Sequence, residues 1–128
     1  MTPRYTFVVM TSPVSPERDE EFNQWYDDVH LKDVLMVPGI VSARRLKLSG
    51  DQIVEGAAVR LSAEDAASAV AQGYPYLALY EIESDDPFAV LSEIQARSED
   101  GRFEFTEAID MAAMPPKTAL YVALNSGH

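Results

Sequence analysis

Cysteine is absent from the 128-residue chain, and histidine is nearly absent. Without cysteine the protein forms no disulfide and no thiolate metal site, and it has no cysteine nucleophile. The lack of cysteine is also typical of a reducing compartment, so we expect a cytoplasmic protein. The only histidine besides the C-terminal His128 is His30. Because one internal histidine leaves no mixed three-ligand set, we predict that the protein binds no metal.

Long apolar runs and positive charge are also scarce. No apolar run approaches the roughly 20 residues of a membrane span, and residues 1–10 alternate like a strand rather than forming a signal-peptide core. We therefore predict no membrane association. Ten Lys and Arg residues against 21 Asp and Glu residues give a formal net charge of −11. Such a surface repels phosphate backbones, so we predict no nucleic-acid partner.

Two common enzyme signatures are missing. The segments PGI and LSG lack the spacing of a dinucleotide-binding loop, and no Gly-x-Ser-x-Gly elbow occurs. What remains is ordinary globular composition, with 47% apolar and 24% charged residues. We predict one domain over residues 1–128.

The patterns that are present alternate between strand and helix. The predicted strands cover residues 4–11, 40–48, 53–61, 74–83 and 117–125, and the predicted helices run from about 15 to 36, from 62 to 73 and from 85 to 99. Their apolar faces are Phe22, Trp25, Tyr26 and Val29 in the first helix, and Phe88, Leu91 and Ile94 in the last. Pro38 and Gly39 end the first helix.

This order predicts an α+β fold, a ferredoxin-like antiparallel sheet with two long helices on one face. Residues 49–73, with the strand 53–61 as a possible hairpin partner of 40–48, look like an insertion between core strands. The strand 74–83 is apolar on both faces, so its second face needs a cover as well. We predict a homodimer in which two sheets pack face to face.

Three segments then carry a family resemblance: WYDDVHLKDVLMVPGIVSARRLKL (25–48), YLALYEIE (76–83) and ALYVAL (119–124). They resemble the dimeric α+β barrel superfamily, and within it small EthD-like bacterial proteins, in which a helix with W-Y-x-x-x-H runs into a V-P-G turn. The resemblance implies a homodimer with a cleft between helices and sheet in each subunit. Relatives include cofactor-free isomerases, cyclases, decarboxylases and monooxygenases, and some haem-binding branches. It also implies that His30 lines the cleft in an acid–base or ligand-orienting role.

The helix spacing suggests a chemical use for His30. Tyr26, His30 and Asp33 fall at i, i+4 and i+7, which is one helix stripe. A carboxylate one turn away can hold one imidazole nitrogen and leave the other free to take a proton, and Tyr26 can hydrogen-bond a substrate oxygen. We predict these three as catalytic residues. The alternative is that His30 is a structural residue among aromatic neighbours.

Four residues are predicted to bind the substrate. Tyr76 and Tyr80 share one strand face, Phe22 belongs to the helix, and Arg44 or its neighbour Arg45 faces a substrate carboxylate, with Arg44 preferred. Trp25 points about 100° from Tyr26 on an α-helix, so we do not expect both to line one pocket.

Three functions stay open. The first is a cofactor-independent lyase, isomerase or cyclase in which His30 moves a proton of a small, largely apolar ketone, phenol or lactone. The second is a cofactor-free or haem-dependent monooxygenase. The third is a dimeric accessory protein that binds a small molecule without catalysis. We expect no cofactor in the first case.

Overall fold

The computed structural model describes residues 2–125, so His128 lies outside the described residues. Its strands are β1 (Arg4–Thr11), β2 (Ile40–Lys47), β3 (Asp51–Val54), β4 (Ala57–Arg60), β5 (Tyr76–Glu83) and β6 (Lys117–Val122). Its α-helices are α1 (Asp19–Trp25), α2 (Leu31–Leu35), α3 (Ala63–Val70) and α4 (Pro87–Glu99). A 3-10 turn (Pro16–Arg18) precedes α1, and a π-helical turn (Tyr26–His30) joins α1 to α2.

Four strands form one antiparallel sheet in the order β2-β5-β1-β6. Together with helices on one face, this order is the predicted ferredoxin-like α+β fold, which is confirmed. The side chains of the central strand β5 alternate between buried and half-buried, as expected. Its buried residues face the helices, and its half-buried residues Leu77 and Leu79 face the other side, the outer face of the sheet.

The turn after α2 depends on Gly39. Its φ of +100° is a conformation that residues with a side chain rarely adopt, and a Cβ atom there would lie 2.8 Å from Val90 Cγ2. The V-P-G sequence therefore ends the helix and brings β2 close to α4. Helix α4 turns its Val90 into the core, whereas Phe88, which the sequence assigned to the inward face, is 77% exposed.

The insertion 49–73 forms a unit of its own. The predicted single strand 53–61 is instead a hairpin, β3 with β4, because Glu55 and Gly56 both have positive φ and turn the chain between them. The short helix α3 follows, with Ser62 as its N-cap. The hairpin forms a separate sheet and does not pair with β2.

No helix among the described residues is long and apolar enough to cross a membrane.

Candidate active site

A cavity of about 260 Å³ lies between the first helical run and the helix-facing side of the sheet. Its walls are mostly aromatic and aliphatic. The lining residues that carry a polar side-chain atom are Thr11, Trp25, Tyr26, His30, Tyr80, Ser98, Glu104 and Thr118. Residues 103–105 close one side, and this segment is called the strap below.

The π-helical turn decides which aromatic rings reach the cavity. In this turn the N–H of Leu31 donates to the carbonyl of Tyr26, five residues earlier. The wider turn brings residue i+5 to the side of residue i, so the rings of Trp25 and His30 stack, with centroids 4.7 Å apart and planes at 19°. Trp25 and Tyr26 both line the cavity. The expectation that they could not is wrong, because it assumed α-helical geometry.

His30 is enclosed by aromatic rings on three sides. Besides Trp25, the ring of Tyr26 meets it edge-on at 5.0 Å and the ring of Phe103 at 5.7 Å. Its Nδ1 is buried and has no hydrogen-bond partner among residues 2–125. Burial lowers the pKa of His30 from 6.5 to about 4. The negative charge of Asp33 raises this pKa and the positive charge of Arg45 lowers it, both by smaller amounts. The imidazole is therefore neutral at pH 7.

Asp33 forms its hydrogen bond with the strap and not with His30. Its carboxylate accepts a hydrogen bond from the backbone N–H of Glu104 at 3.0 Å. The carbonyl of Glu104 accepts a hydrogen bond from Trp25 Nε1 at 2.9 Å. The strap is thus fastened to the helix through both backbone groups of Glu104. The predicted hydrogen bond donated by His30 to Asp33 is not among the hydrogen bonds of the described residues.

Three hydroxyl groups meet at the cavity wall formed by the sheet and the π-helical turn. Burial raises the pKa of Tyr26. The nearby hydroxyl groups of Tyr80 and Thr11 have the smaller, opposite effect on this pKa. Burial also raises the pKa of Tyr80. Both tyrosines are therefore neutral donors. Tyr80 Oη and Thr11 Oγ1 are buried and have no hydrogen-bond partner among the described residues. We call Thr11, Tyr26 and Tyr80 the hydroxyl cluster.

A positive charge lies behind this wall. The guanidinium carbon of Arg45 is 4.3 Å from the ring centroid of Tyr26, and its nitrogens donate to Asp27 and Asn23 at 2.9 Å each. The side chain of Arg45 is only 11% exposed. A partly desolvated cation of this kind favours negative charge on groups near it.

Three predicted substrate-binding residues lie outside the cavity. Arg44 points to the outer face of the sheet, because its register partner on β5 is Leu79, whereas Arg45 faces the helices. Phe22 is fully buried in the core. The Tyr76 hydroxyl donates its proton to Asp19 at 2.6 Å, and Asn23 donates to it at 3.0 Å, so it has no proton left to donate to a ligand.

Comparison with known proteins identifies the fold. No protein-family model matches the chain, and no curated protein sequence matches it significantly. Among solved structures, the monooxygenase ActVA-Orf6 of Streptomyces coelicolor, in complex with nanaomycin D, has a TM-score of 0.54 at 14% identity, over 99% of this chain and 92% of that chain. An EthD-like protein of Ralstonia eutropha has a TM-score of 0.51 at 15% identity (94% and 91% covered). An EthD family protein of Bacillus halodurans has a TM-score of 0.52 at 8% identity (95% and 99% covered). The chain has the fold of the EthD-like proteins.

Haem does not suit this cavity. A cavity of about 150 Å³ takes up one benzene ring. At about 260 Å³ the present cavity offers less than twice that volume, whereas a porphyrin carries four pyrrole rings. Within residues 2–125, no three histidine or acidic side chains are grouped so that they would hold a metal ion.

Several residues of the cavity wall were not predicted. Thr11 is the last residue of β1 and lies on its helix-facing side, but a threonine in a strand is no chemical signal by itself. Phe103 and Glu104 lie between the last predicted helix and the last predicted strand, where no element is predicted. The strap therefore could be located only from the structure.

Proposed function

We propose that the protein is a cofactor-independent enzyme that moves a proton of a small, largely apolar ketone, phenol or lactone, with His30 as the proton acceptor. One observation supports this most: a neutral imidazole stands at the wall of a small aromatic cavity, with Nδ1 unpartnered among the described residues. A neutral imidazole can accept a proton, and the aromatic walls suit a flat, uncharged molecule.

The low pKa of His30 does not prevent this role. It reflects the cost of an isolated charge in the cavity. Once a substrate loses its proton, an enolate or phenolate lies beside the imidazolium. Two unit charges about 4 Å apart gain about 4 kcal/mol at an effective dielectric constant of about 20. In the complex the neighbouring anion therefore raises the pKa of His30 above its value of about 4 in the free protein.

The enolate or phenolate can then react in two ways. It can rearrange, eliminate or lose carbon dioxide, as in an isomerase, cyclase or lyase. It can also react with oxygen, as in a cofactor-free monooxygenase. The similarity to ActVA-Orf6, a monooxygenase with nanaomycin D bound, supports the second outcome at the level of fold. Both outcomes begin with the same proton transfer.

The shared step can be tested before the natural substrate is known. 2-Tetralone is a neutral two-ring ketone with acidic α-protons, and its exchange in D₂O is followed by NMR. The chain contains one tryptophan, Trp25, which lines the cavity, so its fluorescence reports binding. At saturating ketone we expect the protein to accelerate deuterium uptake and His30→Gln to lose at least about 100-fold of that acceleration.

Three results decide between the functions. Binding of 2-tetralone without accelerated exchange would favour the accessory, ligand-binding protein over an enzyme. Equal exchange by the wild type and His30→Gln would remove His30 from the mechanism. Uptake of oxygen during exchange would identify the oxygenase.

We also propose that the protein forms a homodimer through the outer face of the sheet. Its support is the set of apolar side chains on that face: Val8, Leu46, Leu77 and Leu79. Val70 and Ala71 of the insertion line a groove with Met10, Leu46 and Leu77 at the edge of this face. None of residues 49–73 lines the cavity. We propose that the insertion extends this surface of dimer contact.

A further inference from the structure

The unpartnered hydroxyls of the cavity call for a ligand atom. Thr11 and Tyr80 are each 2% exposed, and both line the cavity. A buried hydroxyl without a partner costs about 1–3 kcal/mol, so such groups in folded proteins normally find a protein, water or ligand partner. Both hydroxyls lie beside the Tyr26 hydroxyl, so an acceptor atom at this wall can receive their O–H groups.

We infer that the hydroxyl cluster binds the carbonyl oxygen of the substrate and that the substrate is a neutral, enolisable ketone of one or two rings. This deepens the proposed function and rests on it. A carbonyl oxygen is a pure acceptor with two lone pairs, which matches hydroxyl donors. As the proton leaves toward His30, negative charge develops on that oxygen, and donors placed there stabilise it.

The charges around the cavity argue against an anionic substrate such as a carboxylate. Arg45 already pairs with Asp27 and Asn23, and the ring of Tyr26 separates it from the cavity. Glu104, the acidic residue among those lining the cavity, would repel an anion. His30 is neutral at pH 7. A carboxylate would therefore be desolvated without a cation to receive it. The volume of about 260 Å³ limits the ring count.

The test compares three ligands with one skeleton. Tetralin lacks oxygen, 2-tetralone adds the carbonyl, and 1,2,3,4-tetrahydro-2-naphthoate replaces it with a charge. Binding is measured by the fluorescence of Trp25 and by calorimetry. For the wild type we expect 2-tetralone to bind at least about tenfold more tightly than tetralin, since two or more hydrogen bonds each contribute about fivefold. The carboxylate should bind more than about tenfold more weakly than the ketone.

Two near-isosteric variants then address the hydroxyls. Thr11→Val and Tyr80→Phe should each lower the affinity for 2-tetralone about fivefold and leave the affinity for tetralin unchanged within about twofold. Tetralin binding also shows that a variant is folded. Thr11→Ser keeps the hydroxyl and should keep the preference for the ketone. In the infrared spectrum, the carbonyl stretch of bound 2-tetralone should lie at lower frequency in the wild type than in the double variant.

Two results would overturn the inference: an unchanged ratio of ketone to tetralin affinity in both Thr11→Val and Tyr80→Phe, or carboxylate binding as tight as ketone binding. These measurements do not depend on turnover. If the ketone preference holds but deuterium exchange is absent, the proposed function fails and the carbonyl site stands. If exchange occurs but the preference is insensitive to both variants, the carbonyl site fails alone.

Discussion

The burial of His30 should make the stability of the protein depend on pH in a specific way. Its pKa falls from 6.5 in the unfolded chain to about 4 in the folded protein. Because the folded value is lower, the unfolded chain binds more protons between these two values, and the folded state loses stability as pH falls. The contribution is complete above about pH 6.5 and is lost as pH falls through about 4.

The size of this contribution follows from the same two values. Each pKa unit corresponds to about 1.36 kcal/mol, so the full contribution is about 3 kcal/mol. Between about pH 7.5 and about pH 4.5, His30 alone should account for about 2.5 kcal/mol of lost unfolding free energy. That is a large part of the about 5–15 kcal/mol that stabilises a typical domain.

His30→Gln removes the titrating group and leaves the other titrating groups in place. Other carboxylates, such as Glu93 and Asp100, also have a lowered pKa because they bond to arginines, but they titrate equally in both proteins. Urea unfolding of both proteins at the two pH values isolates His30. We expect the wild type to lose about 2.5 kcal/mol more than the variant on acidification. A difference that stays constant within about 0.5 kcal/mol would show that His30 is not desolvated as described.

Three further changes test the fold and the strap. Trp25→Phe keeps a ring against His30 but loses the hydrogen bond to the carbonyl of Glu104. We expect the free energy of unfolding to fall by about 1 kcal/mol and the Glu104 amide to exchange its hydrogen faster. Unchanged exchange would mean that this bond does not hold the strap. Leu79→Lys places a charge on the outer face of the sheet and should convert a dimer to a monomer in sedimentation analysis; a dimer that persists would place the contact elsewhere. Gly39→Ala forces a side chain into a positive φ and against Val90, so chemical unfolding should show about 1–3 kcal/mol of destabilisation, and a neutral result would contradict the close approach of β2 to α4.

The strands and helices of the core were predictable because hydrophobic periodicity reports burial directly. The bounds of β1 match the predicted residues 4–11, and β5 shows the two-sided apolar pattern from which a second cover was inferred. The insertion was harder, because Glu55 and Gly56 both have positive φ and turn the chain where a continuous strand was expected. A single glycine inside a strand pattern indicates a bulge as well as a turn, so the hairpin was not evident.

The candidate site was predictable only in part, for two physical reasons. The position of Tyr26 and His30 on one face was foreseen, but the π-helical turn that stacks Trp25 on His30 has no sequence signature. The role of Asp33 depends on the strap, a segment about 70 residues further along the chain that helix spacing cannot place. Local periodicity thus identified the histidine, whereas tertiary contacts decided its environment.

We propose that His30 is neutral in the free protein and takes a proton when an enolate-like anion occupies the cavity. NMR of protein labelled with ¹⁵N in histidine measures this directly, with His30→Gln to assign the signal. In the free protein we predict a pKa of about 4. With 4-nitrophenol bound, whose absorbance reports its own ionisation, we predict that the phenolate raises the pKa of His30 and that the phenolate and the imidazolium appear together. A pKa near 6.5 in the free protein, or a bound phenolate beside a His30 that stays neutral, would contradict this proposal.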